Sequence, residues 1–178
     1  MSPLTSALIS YWHRLPAECV ATRRKSLDAT RERVRSGREP AAALVPIALG
    51  DVDEGIVASA THAYVASAMA ATSDVDPVEP IAEAVEWIRR GLALNRGAVF
   101  GALLALEDEP AVERLVALRL LLSAIEVEVA CRVLGCSPGP LALGFLRDWA
   151  DLVANGPLQR ERLALHAVIG ERCCAHAA

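Results

Sequence analysis

The chain is poor in aromatic residues, and no segment alternates polar and apolar residues for long enough to predict a β-strand. Aromatic side chains make up 4% of its 178 residues, whereas hydrophobic residues make up 53%. The apolar content is therefore mostly Ala, Leu and Val, and Ala and Leu are among the strongest helix formers. We expect an all-α protein whose helices pack through small and aliphatic side chains.

No segment is a candidate for a membrane-spanning helix. The most apolar stretch, residues 98–130, is interrupted by six charged side chains between Glu107 and Arg119. A membrane-spanning helix needs about 20 nearly uncharged residues, so the sequence predicts none. The N-terminus has no basic region followed by a long apolar run, from which we expect no secretory signal. These absences favour a cytoplasmic protein that binds no membrane.

Lysine occurs only once, as Lys25, in a chain rich in alanine and arginine, a composition that suggests a bacterial source. The odd number of cysteines favours thiols over a disulfide framework. Neither Cys131 with Cys136 nor the cluster Cys173-Cys174-Ala-His176 has the two close ligand pairs of a zinc site. We therefore expect no metal and no other cofactor, and the sequence leaves open whether these four thiols have a function. The remaining cysteine is Cys19.

Charge is unevenly distributed. Eight basic and three acidic residues lie between Arg14 and Arg38, a net charge of +5, whereas the whole chain carries −4. Because residues 1–13 contain no Lys, Arg, Asp or Glu, residues 39–178 carry −9. The length suits one domain. We expect a single all-α domain over residues 1–172, made of a basic edge helix at 14–38 and an acidic body at 39–172, with a frayed C-terminal tail at 173–178.

Turn and cap signals divide the chain into nine or ten helices. The basic helix is expected to begin at Pro16, to end at Gly37 and to turn Val20, Leu27 and Val34 inward. A helix at 41–49 follows, and Asp51 or Asp53 is expected to cap the next one. Further helices are expected at 77–94, 98–106, 110–122 (continuing past Ser123 or bending there, as far as Val133), 138–152 and 157–172.

Two of these helices have distinctive apolar patterns. The helix at 77–94, with Asp76 as its N-cap, has a stripe suited to one partner helix, formed by Val78, Ile81, Val85, Ile88 and Leu92. On its outer side, Glu86 and Arg90 are spaced as an ion pair. The helix at 110–122 is apolar on most of its faces, and we therefore expect it at the centre of the molecule. The helix at 138–152 has a stripe of Leu141, Phe145, Trp149 and Leu152.

Two segments resemble each other: Leu44-Val-Pro-Ile-Ala-Leu-Gly-Asp51-Val-Asp53 with its continuation to Ala60, and Leu103-Leu-Ala-Leu-Glu-Asp108-Glu-Pro110 with its continuation to Leu115. Each has an apolar helix end, an acidic tight turn and a second helix. This resembles the unit of HEAT and armadillo repeats, over about residues 40–130, in which an acidic turn residue caps the second helix. The turns are 57 residues apart, whereas HEAT units recur at about 40–47, and the helix at 77–94 would account for the extra length.

The resemblance implies stacked helical hairpins with an extended concave surface that binds a macromolecule. An irregular helical bundle is the alternative architecture. Consecutive hairpins of other helical proteins have similar turns, so the sequence leaves both architectures open.

Catalytic motifs give no candidate residues. The chain has no phosphate-binding glycine motif and no HExxH. Residues 135–139 match GxSxG, and Asp148 or Asp151 and then His166 follow in the order of α/β-hydrolases. That motif requires a strand before Ser137, where we predict a helix, and Pro138 has no N–H to contribute to an oxyanion hole. We predict no catalytic residues.

Four arginines form the first candidate site. Arg24, Arg31, Arg35 and Arg38 follow at spacings that align them along one side of the basic helix. Such a row can contact phosphates or an acidic protein. No aromatic residue is interleaved for base stacking, and the rest of the chain is acidic, so nucleic acid is the less favoured partner. We predict contact with a protein that has an acidic surface, or self-association.

A possible pocket is the second candidate site, formed by His62, Tyr64, Trp87, Asn95 and Arg96. Asn95 and Arg96 are polar residues at a helix junction, and His62 follows the acidic turn at 51–54. The favoured function is a non-catalytic protein–protein interaction module, such as an adaptor, a secretion accessory or an immunity-type protein. The alternatives are a helical-bundle enzyme or small-molecule-binding protein with a site between helices, and a nucleic-acid-binding protein that uses the Arg-rich helix.

Overall fold

A computed structural model of the chain describes residues 3–71, 78–135 and 139–154. Within these ranges the chain is all-helical and contains no strand, which confirms the predicted fold class. The nine α-helices of the described ranges are α1 (Pro3–Arg14), α2 (Val20–Arg35), α3 (Val45–Gly50), α4 (Glu54–Ala71), α5 (Val78–Arg89), α6 (Arg96–Leu104), α7 (Glu109–Leu118), α8 (Ala124–Leu134) and α9 (Pro140–Ala154). Short 3-10 helices cover Ala41–Leu44 and Arg119–Leu121. No helix in these ranges is long and apolar enough to span a membrane.

Helices α4 to α9 form two adjoining rows. Helices α4, α6 and α8 contact one another in the first row, and in the second row α7 contacts both α5 and α9. Contacts of α5 with α4 and α6, and of α6 with α7, join the rows. Helix α3 packs on α4, α1 packs on α3, and α2 lies against α4 and the first 3-10 helix. The basic helix therefore flanks one end of the first row.

The centre of the molecule is α6, not α7. Every residue of α6 from Gly97 to Leu104 is buried. In contrast, Val116 on α7 is 40% exposed, and Leu121 in the following 3-10 helix is 49% exposed. The prediction that the helix at 110–122 is central was therefore wrong. Apolar residues surround α7 on most faces, but only some of those faces have a neighbour.

Two glycines explain why α6 is so deeply buried. A Cβ atom on Gly97 would lie 2.3 Å from the carbonyl oxygen of Glu126, and one on Gly101 would lie 2.6 Å from that of Ala130. The backbones of α6 and α8 therefore approach more closely than any side chain on these faces would allow. Because both contacts advance by four residues along each helix, α6 and α8 run in the same direction.

The apolar stripes of α5 and α9 are only partly as predicted. Ile81, Val85 and Ile88 are buried, but Leu92 is 45% exposed because α5 ends at Arg89 and a glycine with φ +64° follows. On α9, Phe145 and Trp149 are buried and Leu141 is 38% exposed. Asp76 and the side chains of Val78 and Leu152 lie outside the described residues.

The basic helix begins later than predicted, and another helix precedes it. Helix α2 starts at Val20 instead of Pro16, and residues Pro3–Arg14, including the first arginine of the predicted basic segment, form α1. Val20 is 41% exposed. The buried line of α2 is instead formed by Arg23, Leu27, Thr30 and Val34. Two polar residues, Arg23 and Thr30, thus occupy inward positions of α2 that were not predicted to be buried.

Helix caps account for most of the remaining boundaries. Asp53, not Asp51, caps α4 by accepting from the N–H of Ile56, and Asp108 caps α7 by accepting from the N–H of Ala111. Ser123 and Glu126 form a capping box that starts α8, so the helical pattern breaks at Ser123 instead of continuing through it. The predicted helix at 41–49 is a 3-10 turn followed by α3. The predicted boundaries at Ser137-Pro138 and Asn155-Gly-Pro157, the last helix and the tail at 173–178 lie outside the described residues.

Candidate functional site

An open groove of about 620 Å³ lies between α2 and the second half of α4. Helix α4 contributes only small residues to it, namely Ala63, Ala66, Ser67, Ala70 and Ala71. Helix α2 contributes Asp28, Arg31, Glu32, Val34 and Arg35, and Gly37 closes the end. One wall is therefore charged and the other is uncharged, since residues 55–71 contain no Asp, Glu, Lys or Arg.

Of the four predicted arginines, Arg31 and Arg35 line this groove and Arg24 and Arg38 do not. Three of the four pair with carboxylates of the chain. Arg24 lies 3.5 Å from Asp53, so this pair joins α2 to the acidic turn before α4. The other two pairs are within α2: Arg31 with Asp28 at 3.6 Å and Arg35 with Glu32 at 2.6 Å. Arg38 is exposed and follows the end of α2.

A second groove of about 240 Å³ adjoins the first, and Arg31 lines both. Its other lining residues are Ala58, Ser59, His62, Ala105 and Val133. His62 was predicted to lie near the acidic turn, but its charged neighbour is Arg31. Burial of the imidazole, opposed by a hydrogen bond to the backbone of Ala102 and reinforced by Arg31, lowers the pKa of His62. The imidazole is therefore neutral at pH 7.

The other pocket candidates lie elsewhere. Tyr64 and Trp87 pack together with ring centroids 5.0 Å apart, and the Tyr64 hydroxyl donates to Glu83. Burial and the neighbouring Glu83 raise the pKa of Tyr64, so the hydroxyl keeps its proton. Tyr64 and Trp87 are both buried, and they fasten α5 to α4. Of the five pocket candidates, only His62 lines one of the two grooves.

Asn95 and Arg96 have structural contacts at the start of α6. The Asn95 side chain accepts from the N–H of Ala98 at 3.0 Å and donates to the carbonyl of Val52 at 3.1 Å. Arg96 forms two hydrogen bonds with Glu126, at 2.7 and 3.0 Å, which join α6 to α8. Although burial opposes it, Arg96 together with Ser123 lowers the pKa of Glu126. The polar groups of Asn95 and Arg96 therefore already have hydrogen-bond partners within the chain.

The most buried polar cluster was not predicted. Asp51 is fully buried and accepts from Arg23 Nε at 2.9 Å, from the Asp53 N–H at 2.8 Å and from the Tyr11 hydroxyl. Arg23 also donates to the carbonyl of Glu18 at 2.7 Å. Burial works against the charge of Asp51, but its hydrogen bonds with Arg23 and Tyr11 hold its pKa below the ordinary value. This cluster joins α1, α2 and the α3–α4 turn.

A signal for this cluster is present in the sequence. Leu27 and Val34 are spaced by seven residues, so a continuous inward stripe requires residues at 23 and 30 as well. These positions hold Arg23 and Thr30, both of which are buried. An arginine at an inward position implies a buried carboxylate partner, because an unpaired buried charge is costly. The nearest acidic turn supplies Asp51.

The described cysteines differ in environment. Cys131 is buried in α8, whereas Cys19 is exposed at the N-cap of α2, with its sulfur 3.3 Å from the Thr22 hydroxyl. That side-chain contact and the backbone N–H groups of the first turn lower the pKa of Cys19. Cys136, Cys173 and Cys174 lie outside the described residues. Within the described ranges no three His, Cys, Asp or Glu residues are close enough to hold a metal ion.

Comparison with protein-family models, with curated proteins and with solved structures finds no match for this chain. The candidate site therefore rests on its own geometry: two adjoining open grooves along α4, with Arg31 between them.

Proposed function

We propose that the protein is a non-catalytic protein–protein interaction module, such as an adaptor, a secretion accessory or an immunity-type protein. The observation that carries the proposal is the open groove between α2 and α4, with Arg31 and Arg35 on its charged wall. A groove open to solvent along its length gives a small molecule little enclosure, whereas ligand sites bury most of their ligand. An extended protein segment gains contact along both walls.

The contacts of the other candidate residues support the same proposal. Tyr64, Asn95 and Arg96 are engaged in packing, helix capping and an ion pair, and none of them lines either groove. The nucleic-acid alternative is less well supported, because Arg24, Arg31 and Arg35 pair with carboxylates of the chain itself. Phosphate-binding surfaces accumulate positive charge that is not neutralised in this way.

We propose further that the helices form a HEAT-like stack. The first row of α4, α6 and α8, in which α6 and α8 run in the same direction, and the adjoining second row support this. The residues that cap α4 and α6, Asp53 and Asn95, are 42 positions apart, within the range of about 40–47 for HEAT units, whereas Ser123, which caps α8, follows Asn95 by only 28 positions. The segments that resemble each other in sequence are not equivalent in this stack, because their acidic caps begin α4 in the first row and α7 in the second. A bacterial and cytoplasmic setting is part of the proposal. The bacterial source is suggested by the richness in Ala and Arg with a single lysine, and the cytoplasmic setting by the odd number of cysteines.

Site-specific crosslinking in the producing organism tests this function. A photoreactive residue at Ala70, in the groove, is compared with one at Arg147, an exposed position on α9. We expect one stoichiometric protein partner to be captured from position 70 and not from position 147. Purification of the tagged protein without a protein partner but with a bound small molecule or metal would contradict the proposal.

A further inference from the structure

The smaller groove brings together three polar side chains that still have hydrogen-bonding capacity. These are Arg31, Ser59 and His62, and the rest of its lining is apolar: Ala58, Ala105 and Val133. Among the described residues, the Ser59 hydroxyl has no hydrogen-bond partner. The carboxylate paired with Arg31 is that of Asp28, at 3.6 Å, which is too long for a hydrogen bond. A few polar groups that converge in an apolar surround are typical of a ligand site.

Size and geometry limit the ligand to a small group. At about 240 Å³ the groove is smaller than the roughly 300–1,000 Å³ of pockets for drug-sized ligands. Ser59 and His62 are three positions apart on one face of α4, and Arg31 approaches from α2. A guanidinium group and a hydroxyl both donate hydrogen bonds to oxyanions. Donors on two helices suit an anion with oxygens on several sides, such as sulfate or a phosphoryl group.

The charge of Arg31 alone does not select an anion, because Asp28 lies beside it. The two side chains are 49% and 63% exposed, and Asp28 lines the larger groove but not the smaller one. Together they carry no net charge, so an anion in the smaller groove requires a second positive charge. His62 can supply it, because an imidazole that takes up a proton becomes a cation with two N–H donors.

The position of His62 couples its proton to an anion. One ring nitrogen is engaged by the hydrogen bond to the backbone of Ala102, so a proton goes to the other nitrogen. Without an anion, burial and the charge of Arg31 both oppose that proton and lower the pKa of His62. An anion between Arg31 and His62 replaces this repulsion by attraction and favours the protonated imidazole. The proton and the anion therefore each strengthen the binding of the other.

The other charged groups near the groove have partners of their own. Residues 55–71 of α4 contain no Asp, Glu, Lys or Arg. Charged side chains on the neighbouring elements pair with one another or cap helices: Arg24 with Asp53, Arg35 with Glu32, Arg96 with Glu126, Arg132 with Glu54 and Glu128, and the caps Glu107 and Asp108. Among the described residues, Arg31 is the charged side chain that lines the smaller groove.

We propose that the smaller groove is a proton-coupled site for a tetrahedral oxyanion, which Arg31 and Ser59 bind from two helices while His62 takes up a proton and supplies the second positive charge. The oxyanion is free sulfate or phosphate, or a phosphoryl group on a partner's side chain. The site is separate from the protein interaction proposed for the larger groove, so either can be absent without the other.

Sulfate is the first probe, because it neither gains nor loses a proton between about pH 5.5 and pH 7.5, where imidazole titrates. Isothermal titration calorimetry of the full chain at constant ionic strength measures its affinity. We expect the affinity to rise about fivefold from pH 7.5 to pH 5.5. Saturating sulfate should move the midpoint of the His62 titration, followed by NMR and assigned with a His62→Gln variant, up by about one pH unit.

Four variants locate the binding and its proton. His62→Gln should bind sulfate equally at the two pH values. Asp28→Asn releases the charge of Arg31 and should bind about fivefold more tightly than the wild-type protein at about pH 7.5. Glu32→Gln makes the same change one turn further along α2, where the carboxylate pairs with Arg35 and lines only the larger groove, and should stay within about twofold of the wild-type affinity. Arg31→Gln should bind no sulfate. Circular dichroism checks that each variant is folded.

Several results would overturn the inference. These are an affinity that does not change with pH, the same pH dependence in His62→Gln as in the wild-type protein, an equal gain in Asp28→Asn and Glu32→Gln, or no binding of sulfate in the millimolar range. Inorganic phosphate and a short phosphoserine peptide then distinguish the two sources of the oxyanion. Equal affinities support a site for a free anion, and tighter binding of the peptide supports a site for a modified protein side chain. Crosslinking from position 70 tests the larger groove alone.

Discussion

The first two helices and the two-row stack share one apolar core but differ in what else joins their helices. Helices α1 and α2 join the rest of the molecule around a buried charged cluster, in which Asp51 bonds to both Tyr11 and Arg23. The stack is held by apolar packing, which includes the close approach of α6 and α8 and the three aromatic rings of Phe100, Phe145 and Trp149, whose centroids lie 5.6 to 5.8 Å apart.

This difference determines how each region responds to change. Apolar packing is spread over many contacts, so each small loss is shared. A buried ion pair concentrates its effect on two groups, and the removal of one leaves the other buried without its partner. The groove lies between the two regions, with α2 on one side and α4 on the other, so its shape depends on the charged cluster.

The largest effect is expected from Asp51→Ala. This change leaves the Arg23 guanidinium buried without a counter-charge, a loss of about 3–5 kcal/mol in the free energy of unfolding. Urea denaturation measures that loss, and hydrogen exchange should show faster opening of α1 and α2 than of α6. A double variant, Arg23→Met with Asp51→Leu, replaces the pair by apolar groups and should recover most of the loss. Uniform destabilisation of α6 and α2 would contradict the division into two regions.

The same cluster predicts a dependence on pH. Because the pKa of Asp51 lies below its ordinary value in the folded protein, its contribution is complete above the unfolded pKa of about 3.9 and is lost as the pH falls through the folded pKa. The wild-type protein should therefore lose stability below about pH 4 more steeply than Asp51→Asn does. Parallel curves for the two proteins would show that Asp51 does not carry this dependence.

A smaller effect is expected within the stack from Gly97→Ala. The new Cβ would lie 2.3 Å from a backbone oxygen of α8, and neither helix can yield without moving its neighbours. Overpacking of this kind costs about 1–3 kcal/mol. Gly144→Ala on α9 is the matched control, since nothing lies within 4 Å of its added Cβ and alanine favours a helix by about 0.5–1 kcal/mol. Denaturation midpoints that shift equally in both variants would contradict the close approach of α6 and α8.

Glu107 connects two helices of the stack, and its removal is expected to have an effect of about 0.5–2 kcal/mol, the range for loss of a helix cap. Its carboxylate accepts from the N–H groups of Leu141 and Ala142, at 3.0 and 3.1 Å, and so caps α9 from the α6–α7 turn. Within the described ranges it is the one non-glycine residue with positive φ, 55°. Glu107→Ala loses the cap and keeps the strained backbone, whereas Glu107→Gly loses the cap and relieves the strain.

Glu107→Gly should therefore be the more stable of these two variants in urea denaturation. An alanine variant as stable as the wild-type protein would show that the cap contributes nothing.

The sequence predicts local features of this molecule better than its contacts over long distances. Asp108 as a cap and the ion pair of Glu86 with Arg90 were both predicted, since each depends on residues within four positions of one another. The pairing of Arg23 with Asp51 was not predicted, because the two positions are 28 residues apart. In addition, Arg23 occupies an inward position of α2 at which an apolar residue is usual.

The candidate site shows the same limit. The row of arginines follows from helical spacing alone. That Arg31 lies beside His62 depends on how α2 packs against α4, and the smaller groove is closed by Ala105, which follows α6, and by Val133 of α8. No spacing within one helix contains that information. The central position of α6 was missed for the same reason. Gly97 and Gly101 are required by the close backbone of α8, and the sequence of α6 alone does not show which helix packs there.

The smallest effect is expected from Arg35→Ala, and it sharpens the contrast with Asp51. The pair of Arg35 with Glu32 is 2.6 Å long, shorter than the 2.9 Å between Arg23 and Asp51, yet its side chains are 80% and 62% exposed. Exposed pairs within a helix contribute about 0.3–0.5 kcal/mol, so the variant should unfold within about 0.5 kcal/mol of the wild-type protein, and 0.5 M NaCl should reduce that difference. Thermal and urea denaturation measure it. A loss above 1 kcal/mol would mean that the fold requires Arg35, and a side chain required by the fold is not available to bind a partner's carboxylate in the groove.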